Sequence, residues 1–240
     1  MDKIQSALEE IQGFFRQNAN PDNVKKYSRF FREGYDAYGV DSKIYVAQVD
    51  LWYDKFKSEF NLADFKQLFN KLLDSNKYEE VSLTVTFLSR MPEHYSKTLF
   101  KQIMNWLNQY FQNWAHVDIC SSQVLAKFIL NGVISHEDLL KYYDHKSKWV
   151  RRAVAVTTVY VFYEDQQLSP VLAAGDLLIN DLVREVGQGV GWMLRDTWKV
   201  YPKKIEQFLT KHVRTGNRTA YQYACEKMDK DYRRKFRRPK

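Results

Sequence analysis

The chain has 240 residues, 45% of them hydrophobic and 15% aromatic, enough for one or two ordinary domains with a sizeable core. Its net charge of +8 favours an anionic partner, either nucleic acid or an acidic membrane surface. Residues 1–15 carry Glu9 and Glu10 and no continuous apolar stretch, which excludes a secretory signal, and no segment offers the roughly 20 apolar residues of a membrane span.

Helical periodicity runs almost from end to end. Ile4, Leu8, Ile11 and Phe15 recur at helical spacing, as do Phe65, Leu68, Phe69 and Leu72, and then Leu99, Ile103, Leu107 and Phe111. Residues 81–87, VSLTVTF, alternate briefly. A lone strand there would leave its backbone groups unpaired, so a helix rich in β-branched residues is expected. Breaks are expected at Asn20-Pro21, Asp74-Ser75-Asn76, Met91-Pro92, Asn131-Gly132, Ser169-Pro170, Tyr201-Pro202 and Thr215-Gly216. Ser135 with Asp138 has the spacing of a capping box.

The pattern predicts an all-α chain of roughly a dozen helices, paired into HEAT-like units of about 40 residues that stack as a curved solenoid. No clear sequence repeat is present, and no Gly/Ser or Pro-rich linker divides the chain, so a single domain over 1–240 is expected. Residues 227–240 form a basic tail with eight Lys and Arg against two Asp, read either as a solvated terminus or as an arm that contacts phosphates. Cys120 and Cys225 are too few for a disulfide scaffold, so reduced, buried thiols are expected, with no metal site and no cofactor.

Three clusters hold the residues with chemistry in them. Trp114 and Asp118 stand four apart, hence on one face of a helix. Lys146, Lys148, Arg151 and Arg152 crowd a helix start, against the preference for acids at that end. Trp192 and Arg195 are neighbours on a helix face that follows Gly187, Gly189 and Gly191. Taken singly, each cluster is equally a core Trp, a solvated Asp or an ordinary charged surface. The glycines are read either as a kink or close helix crossing, or as a close backbone approach to DNA. Their spacing is not a nucleotide-binding fingerprint, since no strand precedes them. His116, two residues from Trp114, is expected to point to another face.

Together the clusters resemble the AlkD-type alkylpurine DNA glycosylases, a family of HEAT-like repeat proteins. The match is carried by Trp114 with Asp118, then Trp149-Val150-Arg151-Arg152, then Gly191-Trp192-Met193-Leu194-Arg195-Asp196. It extends to Asn20-Pro21, Tyr27 and Gly39-Val40 at one end, and to Arg218-Thr219-Ala220 with Ala224-Cys225-Glu226-Lys227 at the other. The resemblance implies a catalytic cleft of Trp114, Asp118 and Trp192. It places Arg152 against the DNA backbone, the W-x-x-R register favouring it over its stand-in Arg151; Lys148, Arg151 and Arg195 are read as further DNA contacts. It implies excision of positively charged N3- and N7-alkylated purines from double-stranded DNA, without strand cleavage and without base flipping. A monomeric, cytoplasmic enzyme is expected. A non-catalytic DNA binder of the same fold, or a helical-repeat scaffold for proteins, remains the alternative.

Overall fold

A computed structural model of the chain describes residues 2–237. Among these residues every regular element is helical. The helices gather into two compact units. The first holds the residues up to His94 together with Gln109–His116; the second holds Tyr95–Asn108 and the residues from Val117 onward.

The first unit contains α1 (Lys3–Gln17), α2 (Pro21–Ser28), α3 (Ser42–Glu59), α4 (Leu62–Asp74) and α5 (Tyr78–Ser89). Local chemistry starts these helices. Asp2 caps α1, and Asn20 caps α2 with Pro21 at the first helical position, where a missing N–H costs nothing. Asn61 and Asp64 close a reciprocal capping box on α4. Helix α5 is the VSLTVTF segment; Thr84 and Thr86 turn their hydroxyls back onto the carbonyls of Glu80 and Ser82. Trp52, Phe56, Phe15, Phe69 and Phe87 fill the core. The loop after α2 is fixed by the Glu79 carboxylate, which accepts from the amides of Tyr38, Gly39 and Val40. Gly39 has φ +78, and a Cβ there would lie 2.3 Å from the Asn20 carbonyl, so no side chain fits.

Helix α6 (Lys97–Gln109) and α7 (Trp114–Cys120) each have residues in both groupings. In the second unit α7 runs into a π-helical turn, Ser121–Leu125, and then α8 (Ala126–Leu130). There follow α9 (His136–Leu140), α10 (Lys148–Asp165), α11 (Leu168–Leu178), α12 (Arg184–Trp198), α13 (Pro202–His212) and α14 (Arg218–Ala224). The expected capping box at Ser135 and Asp138 opens α9. Ser169-Pro170 lies in the first turn of α11, where Pro is tolerated.

Alternate helices pack side by side: the π turn and α8 on α10, α10 on α12, and α12 on α14. Helix α11 is wedged against α10 and α12, and α13 against α12. Gly175 of α11 meets the Phe208 ring of α13. Helix α10 and helix α12 are thus each a neighbour of the next helix and of the next but one, the packing expected of helical repeats. Cys120 and Cys225 are both buried, free thiols. The basic tail is not a free arm as far as residue 237: a 3-10 turn, Tyr232–Phe236, folds back, Phe236 is buried, and the Tyr232 hydroxyl donates to Glu206 of α13 at 2.7 Å. Residues 238–240 of the tail lie outside the described residues. No helix among the described residues is long and apolar enough to cross a membrane.

Candidate functional site around Asp118

The second unit brings Asp118, Arg152 and Trp192 onto three successive helices of one layer, α7, α10 and α12. Asp118 is mostly buried, its side chain 13% exposed, and Arg152 is buried more deeply at 6%. The Arg152 guanidinium grips both carboxylate oxygens, Nε donating to Oδ1 and Nη2 to Oδ2, each at 2.8 Å. Its remaining arm, Nη1, donates to the Glu185 carbonyl in the first turn of α12 at 2.6 Å. Arg is the side chain suited to this, since its planar fork matches a carboxylate edge and leaves donors over. Burial pushes the Asp118 carboxyl up from the ordinary value, and the bonds and charge of Arg152 pull it partly back.

The other cations assigned by the sequence are also paired. Lys148, one turn before Arg152, reaches the Glu185 carboxylate at 3.5 Å and lies over the Trp149 ring. Arg151 points to the opposite side, onto Asp181 at 2.6 Å and the carbonyls of His145 and Lys146. Arg195 bridges Asp196 at 2.8 Å and Glu226 at 2.5 Å. The sequence places all four cations correctly on helices and gives no sign of these carboxylate partners, which come from distant positions, save Asp196, which adjoins Arg195 in the chain.

Trp192 is held by its indole N–H, shared between the Tyr163 hydroxyl and Asp196 Oδ2, both at 3.0 Å. Tyr163 itself donates to Asp196 Oδ2. Burial raises the Asp196 carboxyl, but hydrogen bonds from Arg195, Lys199 and Tyr163 outweigh it and hold the group well below the usual carboxylate range. The Tyr160 ring meets Trp192 edge to face at 5.6 Å, and its phenol feels the Asp118 carboxylate. Tyr160 and Tyr163, which both contact Trp192, are not singled out by the sequence. Arg152 and Tyr163 are eleven positions apart on α10, close to three whole turns, whereas Tyr160, eight positions from Arg152, lies about 80° round the helix.

Trp114 opens α7 and is described by its neighbours in the first unit. Its indole N–H donates to the Phe30 carbonyl at 3.1 Å, and one face stacks on Phe31 at 5.7 Å. The side chain remains 38% exposed. His116 is buried and structural. Its Nε2 faces the Tyr78 carbonyl at 3.0 Å, which can only accept, so Nε2 carries the proton and Nδ1 accepts from the Asn113 amide at 2.9 Å. Burial lowers its pKa to about 4, which keeps it neutral, and both ring nitrogens are engaged.

The glycines before Trp192 serve helix packing. A Cβ on Gly191 would lie 2.5 Å from the Ala220 carbonyl and from Tyr223 Cβ, and one on Gly187 would lie 3.1 Å from the Asn217 side chain. Gly189 faces α10 instead, at 3.5 Å from the Arg152 stem. A close helix crossing, one of the expectations for these glycines, is present at Gly187 and Gly191. No group of three or more His, Cys, Asp or Glu among the described residues is placed to hold a metal ion.

A layered helical-repeat packing with a mostly buried carboxylate gripped by an arginine defines a helical protein with a built polar site. The chain belongs to the DNA alkylation repair enzyme family, whose model matches residues 11–228. Its fold is similar to that of a predicted DNA alkylation repair enzyme from Enterococcus faecalis, with a TM-score of 0.77 and 13% identity over 89% of this chain and 98% of that one. No curated protein matches the chain.

Proposed function

We propose that the protein is a monofunctional alkylpurine DNA glycosylase, hydrolysing the N-glycosidic bond of N3- or N7-alkylated purines in duplex DNA. Family membership supports a role in repair of alkylated DNA. The observation that carries the finer reading is the Asp118 carboxylate, mostly withdrawn from water and fixed at both oxygens by Arg152.

The chemistry suits one carboxylate. Neutral glycosides need a second carboxyl as general acid. An alkylated purine is already a cation and leaves without protonation. Asp118 then stabilises the oxocarbenium-like sugar and orients the attacking water. The aromatic face of Trp192 attracts the cationic nucleotide, worth about 0.5–2 kcal/mol. The base need not enter a pocket if the sugar is approached from the backbone side. In this reading Arg152 positions Asp118, and Lys148, Arg151 and Arg195 contact DNA phosphates beside their carboxylate partners.

The test is release of N3-methyladenine or N7-methylguanine from alkylated duplex DNA by the purified chain. Release is expected from the wild type and not from Asp118→Asn that remains folded by circular dichroism. No release by the wild type removes the glycosylase reading and leaves the non-catalytic DNA binder. Release by Asp118→Asn at the wild-type rate removes Asp118 from the chemistry.

A further inference from the structure

A second basic site lies at the carboxy-terminal end of the second unit, sharing no residue with the Asp118 site. It is a cavity of about 830 Å³ between α14 and the folded tail. Helix α14 contributes Arg218, Tyr221 and Gln222, and Cys225 follows at its end; positions 218, 221, 222 and 225 have the spacing of one helical face. The opposite side of α14, through Ala220 and Tyr223, is the one pressed against Gly191 of α12. The tail supplies the other wall with Arg233, Phe236 and Arg237. In a 3-10 turn residues three apart eclipse one another, which brings Arg233 and Phe236 to the same side.

The charge arrangement distinguishes this cavity from the cluster of cations around Asp118. Lys148, Arg151, Arg152 and Arg195 each meet a carboxylate. So does Arg234, the neighbour of Arg233, which pairs with Asp231 at 2.9 Å and does not line the cavity. Arg218, Arg233 and Arg237 have no hydrogen-bonding or ion-pair partner for their side chains among the described residues, and the lining contains no Asp or Glu. Asp229, outside the lining, acts on Arg233 electrostatically, but one carboxylate does not balance three guanidiniums, and an anion in the cavity is attracted to them. Phosphate matches the guanidinium fork bidentately. The volume exceeds what a phosphate alone fills and falls in the range of sites for larger ligands. Tyr221 is anchored by its hydroxyl to the Leu209 carbonyl, so its ring is a fixed wall, and Phe236 is buried beneath the tail. Arg218, Gln222 and Arg237 are exposed, so the cavity opens to solvent.

We propose that this cavity binds a nucleotide unit, its phosphate on Arg218, Arg233 and Arg237 and its sugar and base in the remaining space. The unit belongs either to a nucleic-acid strand or to a free nucleotide. The site stands independently of the excision chemistry at Asp118.

The test uses the full chain and the triple variant Arg218→Gln, Arg233→Gln, Arg237→Gln. Fluorescence anisotropy follows an undamaged, fluorescein-labelled single strand and duplex across a salt series, and calorimetry follows AMP and inorganic phosphate. With a strand as occupant, the triple variant binds DNA at least about tenfold more weakly, and its salt slope falls by roughly two to three, one for each phosphate no longer neutralised. With a free nucleotide as occupant, DNA binding is unchanged and AMP binding is lost. Either result establishes the site. Removing three unpaired like charges leaves the melting temperature unchanged or higher; a lower one assigns the arginines a structural role and overturns the proposal. If the wild type binds none of the probes, or the triple variant binds them all equally well, the proposal also fails. Because the DNA is undamaged, none of these outcomes depends on whether the chain excises bases.

Discussion

The Asp118 carboxylate and the Arg152 guanidinium meet edge to edge, two hydrogen bonds of 2.8 Å between side chains 13% and 6% exposed. Such a pair is costly to break from one side, because the other charge is left buried; Arg152→Gln is expected to destabilise the fold by about 3–5 kcal/mol in urea titrations. It is also expected to change the ionisation of Asp118. Burial raises that pKa and Arg152 lowers it. Removing Arg152 removes the lowering influence, so the pKa rises further. The acid limb of the single-turnover excision profile should therefore move to higher pH in Arg152→Gln, with Arg152→Lys between the two. An unmoved limb would show that Arg152 does not govern the ionisation of Asp118.

Trp192 offers a separate test of positioning. Its N–H is shared between Tyr163 and Asp196. Tyr163→Phe removes one acceptor and the hydroxyl that anchors Asp196 Oδ2, at a stability cost of about 1 kcal/mol. Small misplacements of groups that contact the reacting centre cost rate more than binding. Tyr163→Phe is thus expected to slow excision by about tenfold while the affinity for undamaged duplex stays within about twofold. Equal losses in both would mean that Tyr163 supports the fold or the DNA contact and not the set of the indole.

The spacing of Trp114, Asp118, Arg152 and Trp192 was legible in the sequence, as were the helices carrying them, because helical period and capping chemistry are local. Ser135 with Asp138, and Asn20 with Pro21, announced helix starts that the structure contains. The partners of the cations were not legible. Nothing in the order of residues says that Arg152 turns inward to Asp118 while its neighbour Arg151 turns to Asp181, since a helix separates adjacent side chains by about 100° and packing alone decides what each meets. The tail was ambiguous for the same reason. Its charge suggested either solvent or a phosphate-contacting arm, and the burial of Phe236 with the Tyr232–Glu206 hydrogen bond, which fold it back, were not legible.

Two glycines of α12, Gly189 and Gly191, make opposite predictions. Gly191→Ala puts a methyl 2.5 Å from the Ala220 carbonyl and Tyr223 Cβ, so α12 and α14 must separate. Overpacking of this kind costs about 1–3 kcal/mol or more. Gly189→Ala meets only ordinary contacts at 3.4–3.6 Å and gains up to about 1 kcal/mol of helix propensity. Thermal melts of the two variants should therefore move in opposite directions. A stabilised Gly191→Ala would contradict the close crossing.

His116 predicts a pH dependence of stability that is separable from catalysis. Its folded pKa of about 4 lies below the ordinary value of 6.5 because burial disfavours the cation. Below pH 6.5 the unfolded chain takes up a proton that the fold refuses, so stability falls as the pH drops from 6.5 toward 4, by on the order of 3 kcal/mol. Below that the group charges in both states and contributes no further slope. His116→Gln replaces the ring by an uncharged amide, and the difference in unfolding free energy between it and the wild type should shrink or reverse across that window. Both ring nitrogens are occupied by Asn113 and Tyr78, so the variant should still excise bases at a rate close to that of the wild type. A difference in stability that is constant with pH would mean that His116 titrates alike in the folded and unfolded chain.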